Sequence, residues 1–247
     1  MIIIAVLSFG GYLIYLKKNE IKLFLIDSKN IIKQEIEDIS EKNKIKSHSK
    51  NSKDYGDYDP INDNRFALNE RNYFNEIAHG SEYGGYSEQL KRWKKNLKIF
   101  VLGNKKHYLM VELKRIIKEL NELIDPIDLE LVQIESEANY KIYFCHKDDY
   151  VLVEPESKSL LERNWGYFSI NSKGGEILKG TMYVDIVRCL SETGQKHLLR
   201  EELTQSLGLM RDSHKFSNSI FYQKWSETTE FAPIDRKLIR MLYNYPK

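Results

Sequence analysis

From residue 97 onward the apolar positions follow two alternating periods, and the switches between them mark out structural elements. Residues 97–102 and 140–144 are short runs of apolar and β-branched side chains, the pattern of half-buried strands. Between them the period lengthens. Leu109, Leu113, Ile116, Ile117, Leu120 and Leu123 fall at three- and four-residue steps, which places them on one stripe of a helix over 106–124, wide enough to cover a sheet. Asp125-Pro126 stops it, because the residue before a proline is pushed out of the helical region. Residues 129–134, 166–170 and 177–187 read as further strands, the last two joined by the turn Ser172-Lys173-Gly174-Gly175. No internal repeat is visible.

The first quarter of the chain has a different texture. Residues 2–16 are uncharged and apolar and end at Lys17-Lys18. As a helix this run reaches about 22 Å, short of a hydrocarbon core near 30 Å. Its length suits the apolar core of a signal peptide, but no basic stretch precedes it and no small-residue cleavage pattern succeeds it. Residues 1–18 are therefore expected to be an export or membrane-anchoring segment. The two lysines behind it would by themselves hold the remainder of the chain on the cytoplasmic side, so the side of the membrane stays open. Residues 19–64 are rich in Lys, Asn, Ser, Asp and Glu, with almost no aliphatic residue over 41–58. Such a stretch cannot bury enough surface to order itself and reads as a linker, with a short helix across 31–39. Tyrosines with Gly and Asp at 55–58 and 83–86 suggest loops. That leaves one globular domain, 65–247.

Composition agrees with one good core: 247 residues, 41% hydrophobic and 12% aromatic. A formal charge of only +2 supplies no global field to recruit nucleic acid, and none is expected as a partner. The one basic cluster with an aromatic, Lys91-Arg92-Trp93-Lys94-Lys95, reads as a solvated helix end before the strand at 97. Cys145 and Cys189, the only cysteines, stand at the ends of two strands; a disulfide and two buried free thiols are both open. Without a C-x-x-C spacing they do not suggest a metal site.

The chemistry concentrates in residues 195–222, QKHLLREELTQSLGLMRDSHKFSNSIFY. This stretch resembles the metzincin motif H-E-x-x-H-x-x-G-x-x-H, in which two His one turn apart bind zinc, Glu is the base and Gly turns the chain toward a third ligand. Glu201 stands at the first ligand, Glu202 at the base, Gln205 at the second ligand, Gly208 at the turn and Arg211 at the third ligand. Ser219, Ile220, Phe221 and Tyr222 resemble the S-I-M-Y of a matrixin Met-turn, with Phe221 in place of methionine, and residues 233–244 resemble the closing helix. The segment EELTQSLGL from Glu201, then Asp212-Ser213 and Ser219 to Phe221, is similar to the bacterial family called domain of unknown function 2927. Tyr73 to Ala78, Gly80 to Tyr83 and Arg92-Trp93 extend that likeness over residues 66–242. The resemblance implies an α+β fold: a metzincin-like domain with a mixed twisted sheet, a covering helix, the motif helix and a C-terminal helix. It implies no established activity.

A zinc peptidase needs three neutral or anionic ligands, an open position for water and a Glu to take the proton. Only Glu202 survives as that base, catalytic only if the protein is active. Glu201 can ligate through oxygen, Gln205 is a weak amide donor, and Arg211 stays protonated. One unit charge 4 Å from another costs about 4 kcal/mol at an effective dielectric near 20, hence about 8 kcal/mol for Arg211 beside a dication. Structural zinc gains only about 10 to 16 kcal/mol with all its ligands, so neither zinc nor another cofactor is expected. His197 lies one turn before Glu201 on the same face, where a lone surface histidine is the commoner explanation, and His214 and Asp212 come after the turn. His79, His107 and His146 show no ligand spacing, and Ser206 and Ser213 no catalytic arrangement.

Three readings are compatible with these residues. The first is a metal-free metzincin-like protein of the bacterial envelope, binding peptide or protein in the old cleft, with Glu202 and Gln205 as polar wall groups. The second is a hydrolase with non-standard ligands, Glu201, Gln205 and Asp212 or His214. The third is a structural domain held to the membrane through residues 2–16. Because ligands of one ion converge, Glu201 and Arg211 are expected to pair across the emptied site, flanked by Gln205, and so tie the loop after Gly208 to the helix.

Overall fold

The computed structural model describes residues 5–9, 12–16, 60–79 and 89–243. The chain divides into two units, residues 1–50 and 51–247. In the first, strands β1 (Ala5–Phe9) and β2 (Tyr12–Leu16) pair antiparallel, Phe9 opposite Tyr12 and Ala5 opposite Leu16. The helix expected for this apolar run is replaced by a hairpin. Its physical basis is in the sequence: Ile, Val, Phe and Tyr favour strands, and Gly10-Gly11 lies between the two segments. Among the described residues no helix is long and apolar enough to cross a membrane. The helix expected at 31–39 and the loops at 55–58 and 83–86 lie outside the described residues.

The second unit opens with a 3-10 turn, Pro60–Asn62, whose Pro60 is buried, so the linker expected through 64 gives way to folded structure there. Helix α1 (Leu68–Ala78) comes next and buries Tyr73, Phe74 and Ile77. The sheet comprises β3 (Arg92–Trp93), β4 (Leu97–Gly103), β5 (Leu129–Leu131), β6 (Tyr140–Cys145), β7 (Gly166–Lys173) and β8 (Glu176–Asp185). The order β3-β8-β6-β4-β5 is parallel throughout, and β7 runs antiparallel along β8. The fold is a mixed α/β arrangement with a covering helix, as expected. In the β7–β8 turn Gly174 and Gly175 have φ of 57° and 77°, the two positive angles that a tight hairpin matching strand twist requires. β5 is shorter than expected because the chain passes into a 3-10 turn at Glu135–Glu137.

Helix α2 (His107–Leu123) lays its stripe on the sheet, with Leu109, Leu113, Ile116, Leu120 and Leu123 all buried. Short helices α3 (Lys147–Val151) and α4 (Lys158–Leu161) connect β6 to β7. The motif helix α5 (Glu192–Gln205) and closing helix α6 (Pro233–Tyr243) complete the unit. The basic cluster is not a solvated helix end. Arg92 and Trp93 form β3 and are buried, Trp93 Nε1 donating to the Ser206 carbonyl at 3.0 Å and Arg92 Nη1 to the Leu242 carbonyl at 3.1 Å. Two side chains with such long apolar stems and polar tips can satisfy the carbonyls at the ends of α5 and α6 while filling the core between them.

The polar centre of the unit is Arg200, whose side chain is 0% exposed. Its guanidinium donates to Glu112 at 3.0 Å and to Glu119 at 3.0 and 3.2 Å, and lies 4.4 Å from the Phe231 ring centroid. Arg115 clamps Glu112 from the other side and also pairs with Glu230. Removing Arg200 would take away the fully buried cation and leave Glu112 and Glu119 only the partly exposed Arg115 and Arg236 at the edge of the cluster. Arg200→Ala is expected to cost about 3 to 5 kcal/mol in urea unfolding, whereas Arg115→Ala, at a solvated edge, costs about 1 kcal/mol; equal effects would contradict this account of the core.

Candidate functional site

Helix α5 starts where Ser191 accepts a hydrogen bond from the Gly194 amide at 3.1 Å, with Glu192 in its first turn where the helix dipole favours an acid. It is held at that end by Gln195, which accepts from the Tyr108 hydroxyl at 2.5 Å and donates to the Cys189 carbonyl at 2.6 Å. The helix ends at Gln205, and beyond it Gly208 has a φ of 124°, as the turn position requires. The reason is spatial as well as conformational. A Cβ on Gly208 would sit 2.0 Å from the Lys91 carbonyl oxygen just before β3.

On one face of α5, residues four apart line a cavity of about 650 Å³. His197, Glu201 and Gln205 stack along it, Glu202 stands beside them, and Asp212 and Tyr222 close it from the loop beyond Gly208. The opposite wall is the entry to β7, Trp165 and Gly166. Gly166 is needed there, since a Cβ would come within 2.4 Å of the Glu202 carboxylate. Thus Glu201, Glu202, Gln205 and Asp212 line one cleft. Arg211 does not belong to it.

Arg211 is exposed, and its charge is felt instead by Glu76 of α1, where burial pushes the carboxyl up but Lys215, Ser213 and Arg211 together hold it below its ordinary value. The expected Glu201–Arg211 ion pair does not form. Glu201 pairs with His197, Oε2 to Nε2 at 3.3 Å, one turn back on its own helix. The loop after Gly208 is tied by other means: Gln205 Nε2 donates to Asp212 at 2.5 Å, and the Ser213 amide and carbonyl bond to Phe221 and Gln223 at 2.8 and 3.1 Å. These contacts fix the loop without Arg211, which takes the cheaper, solvated position. Phe221 is fully buried. Ser219, two residues earlier, donates to Asp235 of α6 at 2.5 Å, and Asp235 also accepts from the Ile220 and Ala232 amides at 3.2 and 2.8 Å.

His197 is buried, its Nδ1 donating to the Thr228 carbonyl at 2.7 Å and its Nε2 lying 3.4 Å from the Ser226 hydroxyl. Burial opposes its charge, but Glu201, the Thr228 carbonyl and Glu227 outweigh that and raise the imidazole above its ordinary value. The surface histidine expected here is therefore a cavity residue. Its partners come from residues 226–228, which no local pattern connects to the helix. Trp165, Arg188 and Trp225, also on the cavity, carry no signal in the sequence for the same reason. His214 is exposed and does not line it.

Cys145 and Cys189 are free thiols. Cys145 ends β6 opposite Asp185 of neighbouring β8, but Cys189 lies beyond the end of β8, in the loop leading to α5. Burial, with Asp149 and Asp185 nearby, pushes the Cys145 thiol up to about 12.

The residues do not fit a zinc ion. Gln205 spends its amide on Asp212, Arg211 is outside the cleft, and no group of three His, Cys, Asp or Glu among the described residues is placed around a common point.

The description "Protein of unknown function (DUF2927)" belongs to a family whose model matches residues 69–246, and the chain is a member of that family. No curated protein matches it. Among solved structures, two of myroilysin are similar at 10% identity, with TM-scores of 0.40 and 0.41, covering 61% and 69% of this chain and 93% and 95% of theirs. No chemistry is transferred from them.

Two outcomes are expected from this geometry. Gly208→Ala should lower stability by about 3 kcal/mol or more, from the positive φ and the clash with Lys91 together; a loss near zero would show the turn to be pliable. For His197 the folded value is raised, so its contribution is fully present below about pH 6.5 and lost as pH rises through the folded value. Glu201→Gln removes its main carboxylate partner. The stability gap between the two proteins should therefore be widest just below about pH 6.5 and narrow as pH rises through the raised folded value; a gap that is constant or widens with pH contradicts the pair.

Proposed function

We propose that this chain is a non-catalytic member of its fold class that binds an extended peptide, or an exposed segment of a protein, in the α5 cavity. One observation carries the reading: β7 pairs only with β8, and no described strand occupies its other edge, which begins at the cavity wall with Gly166. An open edge offers main-chain donors and acceptors to an added strand, and the cavity beside it offers polar groups to a side chain. A volume of about 650 Å³ is large enough to take side chains of a bound peptide. Glu202 and Gln205 form the polar floor. Arg211, at the third ligand position of the metzincin pattern, stands outside the cleft, which supports reading the pocket as a binding site without a metal.

The test is a peptide array probed with the wild-type protein and with Gln223→Trp, which fills the cavity from an exposed position at its rim. Selective wild-type binding that this variant abolishes is the expected result. Identical signals from the two proteins would overturn the reading, and stoichiometric zinc in the purified protein would replace it with the hydrolase.

A further inference from the structure

The floor of the cavity is polar, and large apolar side chains stand at its mouth. Trp165 and Trp225 meet there edge to face, ring centroids 5.4 Å apart at 77°, and are 37% and 54% exposed. Leu190, on the same cavity, is 88% exposed. Large apolar groups left in water around a concave polar site mark a surface that another molecule covers.

Trp225 is also held in place. A Cβ on Gly194 would come within 3.0 Å of its Cζ2 and 3.3 Å of its Cη2, so the indole lies against the bare backbone of the first turn of α5. The His197 ring stands 6.2 Å from it at 75°. An aromatic ring fixed on one side and open on another loses little freedom when a ligand covers it, which is why Trp so often anchors an interface.

Charge narrows the occupant. Arg163 and Lys224 line the cavity, both are exposed, and neither is in an ion pair among the described residues. Arg188, the third cation on the lining, is different: its Nε donates to Asp185 at 2.6 Å. Glu227 is the exposed acid of the rim, so the exposed side chains of the mouth carry a surplus of positive charge, while deeper in the cavity Glu201 is paired with His197 and Asp212 with Gln205. We infer that the mouth selects a bulky apolar side chain, aromatic or branched aliphatic, adjacent to an acidic residue in the bound peptide. The apolar group enters the Trp165–Trp225 corner and the carboxylate meets Arg163 and Lys224. This inference rests on the peptide-binding reading and specifies its ligand.

Titration calorimetry with blocked pentapeptides tests it: Ala-Asp-Phe-Ala-Ala against versions with Phe→Ala or Asp→Lys. Each change is expected to weaken binding about tenfold. Trp225→Ala should abolish the preference for Phe, while Trp225→Phe, which keeps an aromatic ring in the seat on Gly194, should retain it. Arg163→Glu combined with Lys224→Glu, both exposed and remote from the core, should reverse the Asp-over-Lys preference. Peptides that bind without either preference, or a Phe preference that survives Trp225→Ala, overturn this inference and leave the peptide-binding reading standing. Failure of all peptides, in the array as in the calorimeter, overturns both.

Discussion

The orientation of α5 depends on the guanidinium of Arg200. It is enclosed by Glu112 and Glu119 of α2 and by the Phe231 ring that precedes α6, so a single side chain joins three elements in a place with no water to compete. Such a group is costly to desolvate and is stable there only because two carboxylates and an aromatic face surround it. The arrangement makes rotation of α5 expensive. On a helix each residue turns about 100°, so fixing Arg200 against α2 also fixes where its neighbours point. His197, Glu201 and Gln205 are thereby held toward the cavity, while Leu199, Leu203 and Leu207 pack in the core.

The cavity itself shows what fixes the turn beyond α5 and how the polar side chains around it are partnered. Gly208 still turns the chain, and the turn is enforced by contact with the Lys91 carbonyl, not only by conformational preference. Ser219 and Asp235 still join the loop to the closing helix. Around the cavity the polar side chains pair with one another or face solvent. Glu201 went to His197, Gln205 to Asp212, and Arg211 to solvent beside the charge of Glu76. Each choice avoids burying an unpaired charge. A cross-site pair between Glu201 and Arg211 would have required two desolvations where the neighbouring His, one helical turn away, needs less rearrangement.

Asp235 illustrates the opposite balance. Burial raises its carboxyl above the ordinary value, against the Ser219 hydroxyl and two backbone amides that favour the charge. The group is held because three donors, the Ser219 hydroxyl and the Ile220 and Ala232 amides, share it as acceptor. Tyr73, which reaches Ser219 at 3.3 Å, brings α1 into the same junction. The loop that carries Asp212 and Tyr222 is thus anchored by a polar knot, and α5 by the Arg200 cluster.

Much of this was legible in the order of residues. The stripe on α2, the Gly174-Gly175 hairpin, the strand periods and the Gly208 turn depend on local backbone preference and on which face is apolar, and both are written into short stretches of sequence. Membership of the family was legible too, because its motif is contiguous from Glu201 to Phe221. Other features depended on partners far away in the chain. The sequence alone could not tell that Arg92 would be buried against the end of α6, that Glu112 would break an apolar stripe to meet Arg200, or that His197 would find Thr228. Residues 2–16 read as an apolar helix but pair as strands, since Ile, Val, Leu and Tyr are compatible with both. A charged or polar side chain is settled by whichever donor or acceptor folding brings within about 3 Å, because only at that range does a hydrogen bond outweigh water. That distance is a property of the tertiary structure, and it decided which of the predicted site residues share the cleft.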